Sequence, residues 1–294
     1  MFRKNNSQTR LLFAVTILAV IVTIGCAAKK NPWGSPEAGL ILTYRMPEDQ
    51  VLKYKMSSKY EQNLEIMGQS TKIELDKAYM LSIKSGGMVE DNHQLGITID
   101  SMEVHVTIPQ GEVPADVSTV LGKSFDMKLS PLGKEMDLSG AESIKYDLGP
   151  GEKHGIASDF QALFPNLASR PVKVADTWKS TDNIDVKEGD SETHIIMESI
   201  NVLEGFETVN GMECAKITST YTGTIDGKGK QDGMDLVTKG EIKGSDTWYF
   251  AYEEGLLVKI TSNVAGEGTI TGSGPQNIVI PMKLDIKSET TLVE

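Results

Sequence analysis

The sequence has 294 residues, with 41 acidic and 29 basic side chains and a net charge of −12 at neutral pH. An acidic chain repels nucleic acid phosphates, and it lacks the basic patch that DNA or RNA binding requires. Only two cysteines occur, Cys26 and Cys214, which excludes a cysteine-rich zinc site or an iron–sulfur cluster. We therefore expect no nucleic acid partner and no cofactor.

The first 25 residues have the features of a secretory signal peptide. Three basic side chains and no acidic one fall within the first ten residues, an apolar run extends from Leu11 to Ile24, and Gly25 precedes Cys26. A basic start, an apolar stretch and a small residue before the cleavage site are typical of export signals. The sequence therefore predicts a signal peptide at residues 1–25. The remaining chain has 26 basic and 41 acidic side chains, a net charge of −15.

The segment Ile24-Gly25-Cys26 resembles the lipobox of bacterial lipoproteins. In that family the cysteine thiol takes a diacylglyceryl group, the signal is cut before it, and the new amino group is often acylated. The resemblance therefore implies a lipid, of the palmitate type, on Cys26. Thr23 stands where the family prefers leucine. Ala27 replaces the aspartate that favours inner-membrane retention in Gram-negative members, which favours the outer membrane.

An uncleaved signal anchor is the alternative to a lipid. The 18 residues from Leu11 to Ala28 carry no charge, and about 17–25 apolar residues are needed to span a bilayer. The basic residues would then stay in the cytoplasm. Both interpretations hold the rest of the chain to a membrane of the cell envelope, facing away from the cytoplasm.

Residues 26–38 are predicted to form a tether, because Pro32, Gly34 and Pro36 disfavour regular structure there. Residues 39–294 are predicted to form a β-rich domain, because apolar and polar residues alternate in many segments. Examples of the apolar positions are Leu52, Tyr54, Met56, Val104, Val106, Trp248, Phe250, Tyr252, Ile278, Ile280, Met282, Leu284 and Ile286. The expected fold is mainly β, with a large, curved antiparallel sheet, half-barrel or sandwich-like, and one or two short helices.

Two similar β halves are a further hypothesis. Residues 122–138 and 244–260 share a pattern of glycine, alternating strand, glycine turn and second strand. Halves at 39–140 and 171–294 would be joined by 141–170, where Ser158 begins a short helical signal that Pro165 ends.

The outline also resembles uncharacterised bacterial lipoprotein families with domains of unknown function. The matching segments are Pro131-Leu132-Gly133 and Pro171 to Trp178, where Ala175 replaces the glycine of the family pattern. This resemblance implies a style of fold and no activity. The architecture is also similar to the curved half-barrels of lipoprotein and lipid carriers.

No catalytic or metal-binding motif is present. The sequence lacks Gly-x-Ser-x-Gly, no two of its four histidines are three or four residues apart, and Asp226, Asp232 and Asp235 do not have the spacing of an EF-hand. Cys214 has no local feature that would activate a thiolate. We therefore expect no enzyme activity and no metal site.

The candidate site residues besides Cys26 are large apolar side chains that could form the core or line a cavity. They are Trp178, Trp248, Phe250, Tyr252, Met127 and Met282. Methionine suits adaptable apolar surfaces, so the favoured function is non-enzymatic binding of a lipid-like ligand or of an envelope protein. A structural or adhesive surface module and a hydrolase with an unrecognised site remain alternatives.

Overall fold

A computed structural model describes residues 31–48, 50–149, 153–231, 233–274 and 277–293. The signal peptide and Cys26 lie outside the described residues, so cleavage and lipidation stay predictions. Within the described part of the chain, no helix has both the length and the apolar character needed to cross a bilayer.

Sixteen strands occur among the described residues. In chain order they are β1 (Gly34–Ser35), β2 (Gly39–Leu40), β3 (Val51–Ile66), β4 (Gln69–Val89), β5 (Asn92–Ile108), β6 (Gly111–Val113), β7 (Ser124–Leu129), β8 (Glu135–Met136), β9 (Lys145–Asp147), β10 (Lys153–Gly155), β11 (Thr177–Glu188), β12 (Ser191–Val209), β13 (Met212–Gln231), β14 (Met234–Ala251), β15 (Leu256–Ser273) and β16 (Ile278–Leu292). Two short helices accompany them, an α-helix at Ser139–Glu142 and a 3-10 helix at Ala157–Phe160.

Twelve of the strands form one antiparallel sheet, in the order β11-β12-β13-β14-β15-β16-β3-β4-β5-β7-β8, with β6 paired to β5. The sheet curls into a half-barrel. The prediction of a mainly β fold with a large, curved antiparallel sheet is confirmed. β1 pairs with β2 in a small separate hairpin, so the predicted tether contains a strand at its C-terminal end. The two predicted halves share the sheet, because β16 pairs directly with β3; a duplication stays a prediction.

Most hairpins follow the turn chemistry of the sequence. β12 and β13 are joined by Asn210 (φ 51°) and Gly211 (φ 78°), as expected for a tight turn that needs positive φ at both central residues. The helical signal after Ser158 yields only one 3-10 turn. It ends before Ala162, whose φ of 59° is incompatible with a continuing helix.

One end of the half-barrel is filled by residues 39–46, 141–149 and 153–172. Tyr44 lies at the centre, with ring centroids 5.4 Å from Phe164 and 5.2 Å from Phe250, both edge-on. Its hydroxyl donates to the Pro165 carbonyl oxygen at 3.0 Å. Each of these aromatic rings is almost completely buried, so the segment predicted to join two halves supplies much of the core.

The curl of the long strands depends on glycine. Gly240 on β14 pairs with Gly268 on β15, and a Cβ on Gly268 would lie only 2.8 Å from the Cα of Gly240. A larger residue at position 268 would therefore require the backbone to move. Glycine in a strand often marks such a bend or close approach, and here it lets the concave face close around a cavity.

Candidate functional site

The other end of the half-barrel holds a cavity of about 480 Å³. Its walls are the concave faces of β11 to β16 and of β3, and residues 161–166 border it on the side of the packed core. Ligand sites in proteins usually have volumes of about 300–1,000 Å³. The cavity is therefore large enough for a small molecule or a lipid chain.

The walls of the cavity are apolar away from its inner end. Residues that pair directly across neighbouring strands share one face of a sheet, and successive rows of such pairs carry large aliphatic side chains here. The side chains that belong both to this wall and to a hydrophobic cluster separate from the main core are Tyr60, Ile195, Met197, Ile225, Ile242, Val264, Ile270, Met282, Leu284 and Ile286. The interior of the half-barrel thus contains two apolar regions, of which one is packed and the other surrounds open space.

A polar row separates the two apolar regions. Along the register of the sheet, Asn201 pairs with Ser219, Ser219 with Asp246, Asp246 with Ser262, and Ser262 with Ser288. All five face the cavity. The row continues to Ser58 on β3 and Lys77 on β4. We call the five residues from Asn201 to Ser288 the polar row.

The half of the polar row on β12 to β14 is internally hydrogen bonded. Trp248 Nε1 donates to Ser219 Oγ at 2.9 Å, and Ser219 Oγ donates to Asn201 Oδ1 at 2.5 Å. Asn201 Nδ2 donates to Ser180 Oγ at 3.1 Å. Such a connected network holds the inner end of the cavity in one arrangement, because buried polar groups are costly when they lack partners.

Ser199, unlike these side chains, is not part of the hydrogen-bond network. It belongs to the next row outward, only 9% of its surface is exposed, and it lines the cavity. Its hydroxyl forms no side-chain hydrogen bond among the described residues. The oxygen itself is open to the cavity, because Gln94 Nε2 is the one sealed side-chain nitrogen or oxygen without a partner in the described part of the chain, so the Ser199 hydroxyl is available to a ligand.

Two carboxyl groups line the cavity near its inner end. Asp246 belongs to the polar row, whereas Asp182 lies in the register row of Met197, farther along the strands, and approaches the inner end through its contact with Asn166. Asp246 accepts a hydrogen bond from Tyr221 Oη at 3.3 Å, and Ser262 also hydrogen bonds to it. Burial raises the pKa of Asp246 to about 6, although these hydrogen bonds act to lower it. Asp182 on β11 accepts a hydrogen bond from Asn166 Nδ2 at 2.5 Å, and burial raises its pKa as well. Each carboxyl retains acceptor capacity beyond these contacts.

A third buried acid, Glu135, binds the segment that borders the inner end of the cavity. Glu135 on β8 accepts a hydrogen bond from the Phe164 backbone N–H at 2.7 Å. Burial, with a smaller contribution from the charge of Asp182, raises the pKa of Glu135 to about 8. Glu135 therefore fixes the position of the segment that closes the inner end of the cavity.

The structure buries all six apolar side chains predicted as core or cavity residues; five of them belong to the main core, and Met282 belongs to the second hydrophobic cluster. Trp248 and Met282 line the cavity, at its inner end and on its apolar wall. Trp178, Phe250, Tyr252 and Met127 lie in the packed core. A role in binding remains a prediction for the two that line the cavity.

The remaining chemistry-bearing residues form no recognisable active site in the described part of the chain. No group of three or more His, Cys, Asp or Glu side chains there is placed to hold a metal ion. Cys214 is fully buried between strands, and burial raises the pKa of its thiol to about 11. A thiol with such a pKa is protonated at neutral pH and is a poor nucleophile.

Sequence reasoning missed the polar row. The signal was present in β13, where Ile217, Tyr221 and Ile225 mark the buried face and Ser219 occupies the same parity. A serine between two buried positions of a strand is a polar group directed inward. Only the register, however, places it beside Asn201 and Asp246.

Comparison with known proteins gives no family. No family model matches the chain, and no curated protein matches it. Among solved structures, a candidate lipoprotein of Parabacteroides distasonis is 12% identical, with a TM-score of 0.27 over 86% of this chain and 98% of that one. A candidate exported protein of Bacteroides fragilis with a YmcC-like fold is 10% identical, with a TM-score of 0.22 over 85% and 97%. A candidate outer membrane lipoprotein-sorting domain of Vibrio parahaemolyticus is 11% identical, with a TM-score of 0.16 over 82% and 83%. TM-scores this low establish neither family nor activity.

Proposed function

We propose that this chain is a membrane-anchored protein of the cell envelope that binds an apolar ligand in the open end of its half-barrel, without catalysing a reaction. The observation that carries the proposal is the second hydrophobic cluster, whose buried and partly buried members together form the wall of a cavity of about 480 Å³. Partly buried members such as Ile195, Met197 and Val264 leave apolar surface facing the cavity, and such surface costs about 25 cal/mol per Å² in water. An apolar ligand would remove that cost.

The predicted membrane anchor is consistent with a cavity that binds a membrane lipid. The leader and the lipobox-like segment at Cys26 would hold the domain at a membrane surface, and we extend the proposal to a lipid on Cys26 and to the outer membrane in a Gram-negative organism. A tethered half-barrel remains within reach of membrane lipids. The dimensions suit an acyl chain: Asp246 and Thr238 both line the cavity on β14, and eight strand residues span about 26 Å.

Filling the cavity tests this function. Ile242 lies on the apolar wall, so Ile242→Trp would occupy the space without adding charge. In membranes from cells that produce the full chain, a photoreactive long-chain alcohol is expected to label the unchanged protein. Ile242→Trp is expected to reduce labelling at least about tenfold, a difference of about 1.4 kcal/mol.

The matched control is Lys243→Trp, which adds the same bulk to the exposed side of the same strand. It should leave labelling unchanged. Equal labelling of the unchanged protein and of Ile242→Trp, or labelled peptides that map only to the convex face, would contradict binding in the cavity.

A further inference from the structure

The inner end of the cavity selects a ligand by charge. None of the described residues that line the cavity is a lysine, arginine or histidine. Two carboxyl groups, Asp182 and Asp246, face the same space. A phosphate or carboxylate head group at this end would meet two acids and no cation, so fatty acids and anionic phospholipids are poor partners for this site.

The same groups need hydrogen-bond donors. A carboxylate only accepts hydrogen bonds, and together its two oxygens can accept about four. Asp246 receives hydrogen bonds from Tyr221 and Ser262, and Asp182 receives one from Asn166. Ser199, nine-tenths buried, faces the cavity with a hydroxyl that lacks a partner among the described residues. The cavity-lining residues of the inner end therefore offer carboxylate acceptors and unused hydroxyls, such as that of Ser199, without a counter-charge.

The positions of the polar row and of the aliphatic rows determine the orientation of an amphiphile in the cavity. The polar row borders the packed core at Trp248, whereas the aliphatic rows extend from it toward the far ends of the strands. A ligand with one polar end must therefore place that end innermost and let its chain follow along Ile242 and Leu284.

On the basis of the proposed function, we propose that the cavity binds a long-chain amine or amino alcohol, with its ammonium group hydrogen bonded to Asp246 on the side that faces Asp182, and with its chain along the aliphatic wall. The ammonium provides three donors and one positive charge. Charge-assisted hydrogen bonds of this kind are stronger than neutral ones. The two aspartates would be ligand-binding residues, and Ser199 would hydrogen bond to the amine or to a neighbouring hydroxyl of the ligand.

Other charged groups near Asp246 do not replace the missing cation. Tyr221 faces it from β13 as a neutral hydrogen-bond donor, and Asp182 faces it from β11 as a second acid. Glu135 lies behind Asp182. Lys77, farther along the register on β4, is paired with Asp159 at 2.5 Å.

The test compares three photoreactive probes that share one twelve-carbon chain and differ only in an amine, a hydroxyl or a carboxylate head. With the full chain in native membranes at pH 7.5, labelling of cavity peptides is expected to be about tenfold stronger with the amine than with the carboxylate. Asp246→Asn is expected to reduce amine labelling about tenfold and to reduce alcohol labelling much less, because the alcohol loses a hydrogen bond but no charge pair. Asp182→Asn should act in the same direction. The control is Asp285→Asn, an exposed acid on β16, which should leave every probe unaffected.

A second readout separates binding from folding. Because the ammonium pairs with an ionised Asp246, amine labelling should fall when the pH is lowered from 7.5 to 5, while alcohol labelling should not. Equal labelling by amine and carboxylate, with the alcohol still bound, would overturn the charge preference and leave the proposed function intact. Failure of all three probes to label the cavity would remove both.

Discussion

Replacing Trp248 with alanine is expected to lower the free energy of unfolding by about 3–5 kcal/mol, the usual cost of removing a large buried aromatic side chain. Trp248 has no exposed surface. It contacts Trp178 edge-on at 6.1 Å between ring centroids, and its Nε1 donates to Ser219 Oγ. The substitution therefore leaves a void at the boundary between core and cavity and removes a donor from the polar row.

Denaturant unfolding monitored by circular dichroism measures this effect. The matched control is Tyr249→Ala on the other face of β14, where the ring is partly exposed beside Lys216. The ring also packs against the small cluster of Cys214, Ala251 and Val258, so a loss of about 1–2 kcal/mol is expected, less than for a fully buried aromatic residue. If Trp248→Ala and Tyr249→Ala lowered the free energy of unfolding equally, the concave face of β14 would not be the better packed face, which would contradict the structure.

The second large effect is a dependence of stability on pH that originates at Glu135. Folding raises the pKa of Glu135 from 4.5 to about 8, so the folded chain binds a proton that the unfolded chain has lost at neutral pH. Stability from this group is therefore complete below about pH 4.5 and is lost as the pH rises to 8. With about 1.4 kcal/mol per pKa unit, and some relief by solvent, the loss between pH 5 and pH 8.5 should be roughly 3 kcal/mol.

Glu135→Gln should remove most of this loss, because a glutamine side-chain oxygen can accept the Phe164 N–H without ionising. Asp246 and Asp182 also have raised pKa values, so a smaller decline in the same direction should persist. Glu142→Gln replaces an exposed acid in the neighbouring short helix and should follow the unchanged protein. A pH profile of Glu135→Gln parallel to that of the unchanged protein would exclude Glu135 as the source.

The strands were predictable because the alternation of apolar and polar residues in each strand shows which of its faces is buried. In β14, Trp248 and Phe250 alternate with residues of the other face, and the pair Asn210-Gly211 requires a turn of one specific type. Such patterns depend on neighbours one or two residues away, so one sequence is sufficient to identify them.

The candidate site was not predictable to the same degree, because it depends on register and on distant contacts. Met127 and Met282 are both buried, yet one lies in the packed core and the other beside open space. The difference comes from the segment that contains Phe160 and Phe164, which fills only one end of the half-barrel. Its prolines and its short helical signal indicated a connection between halves, and nothing local indicated which part of the concave face it would cover.

Native mass spectrometry of the full chain isolated from envelope membranes tests the central claim most directly. The unchanged protein should carry about one noncovalent amphiphile per chain, which denaturation releases, and Ile242→Trp should emerge without it. An adduct retained equally by both proteins, or a chain that is empty in both, would contradict a binding function for the open end of the half-barrel.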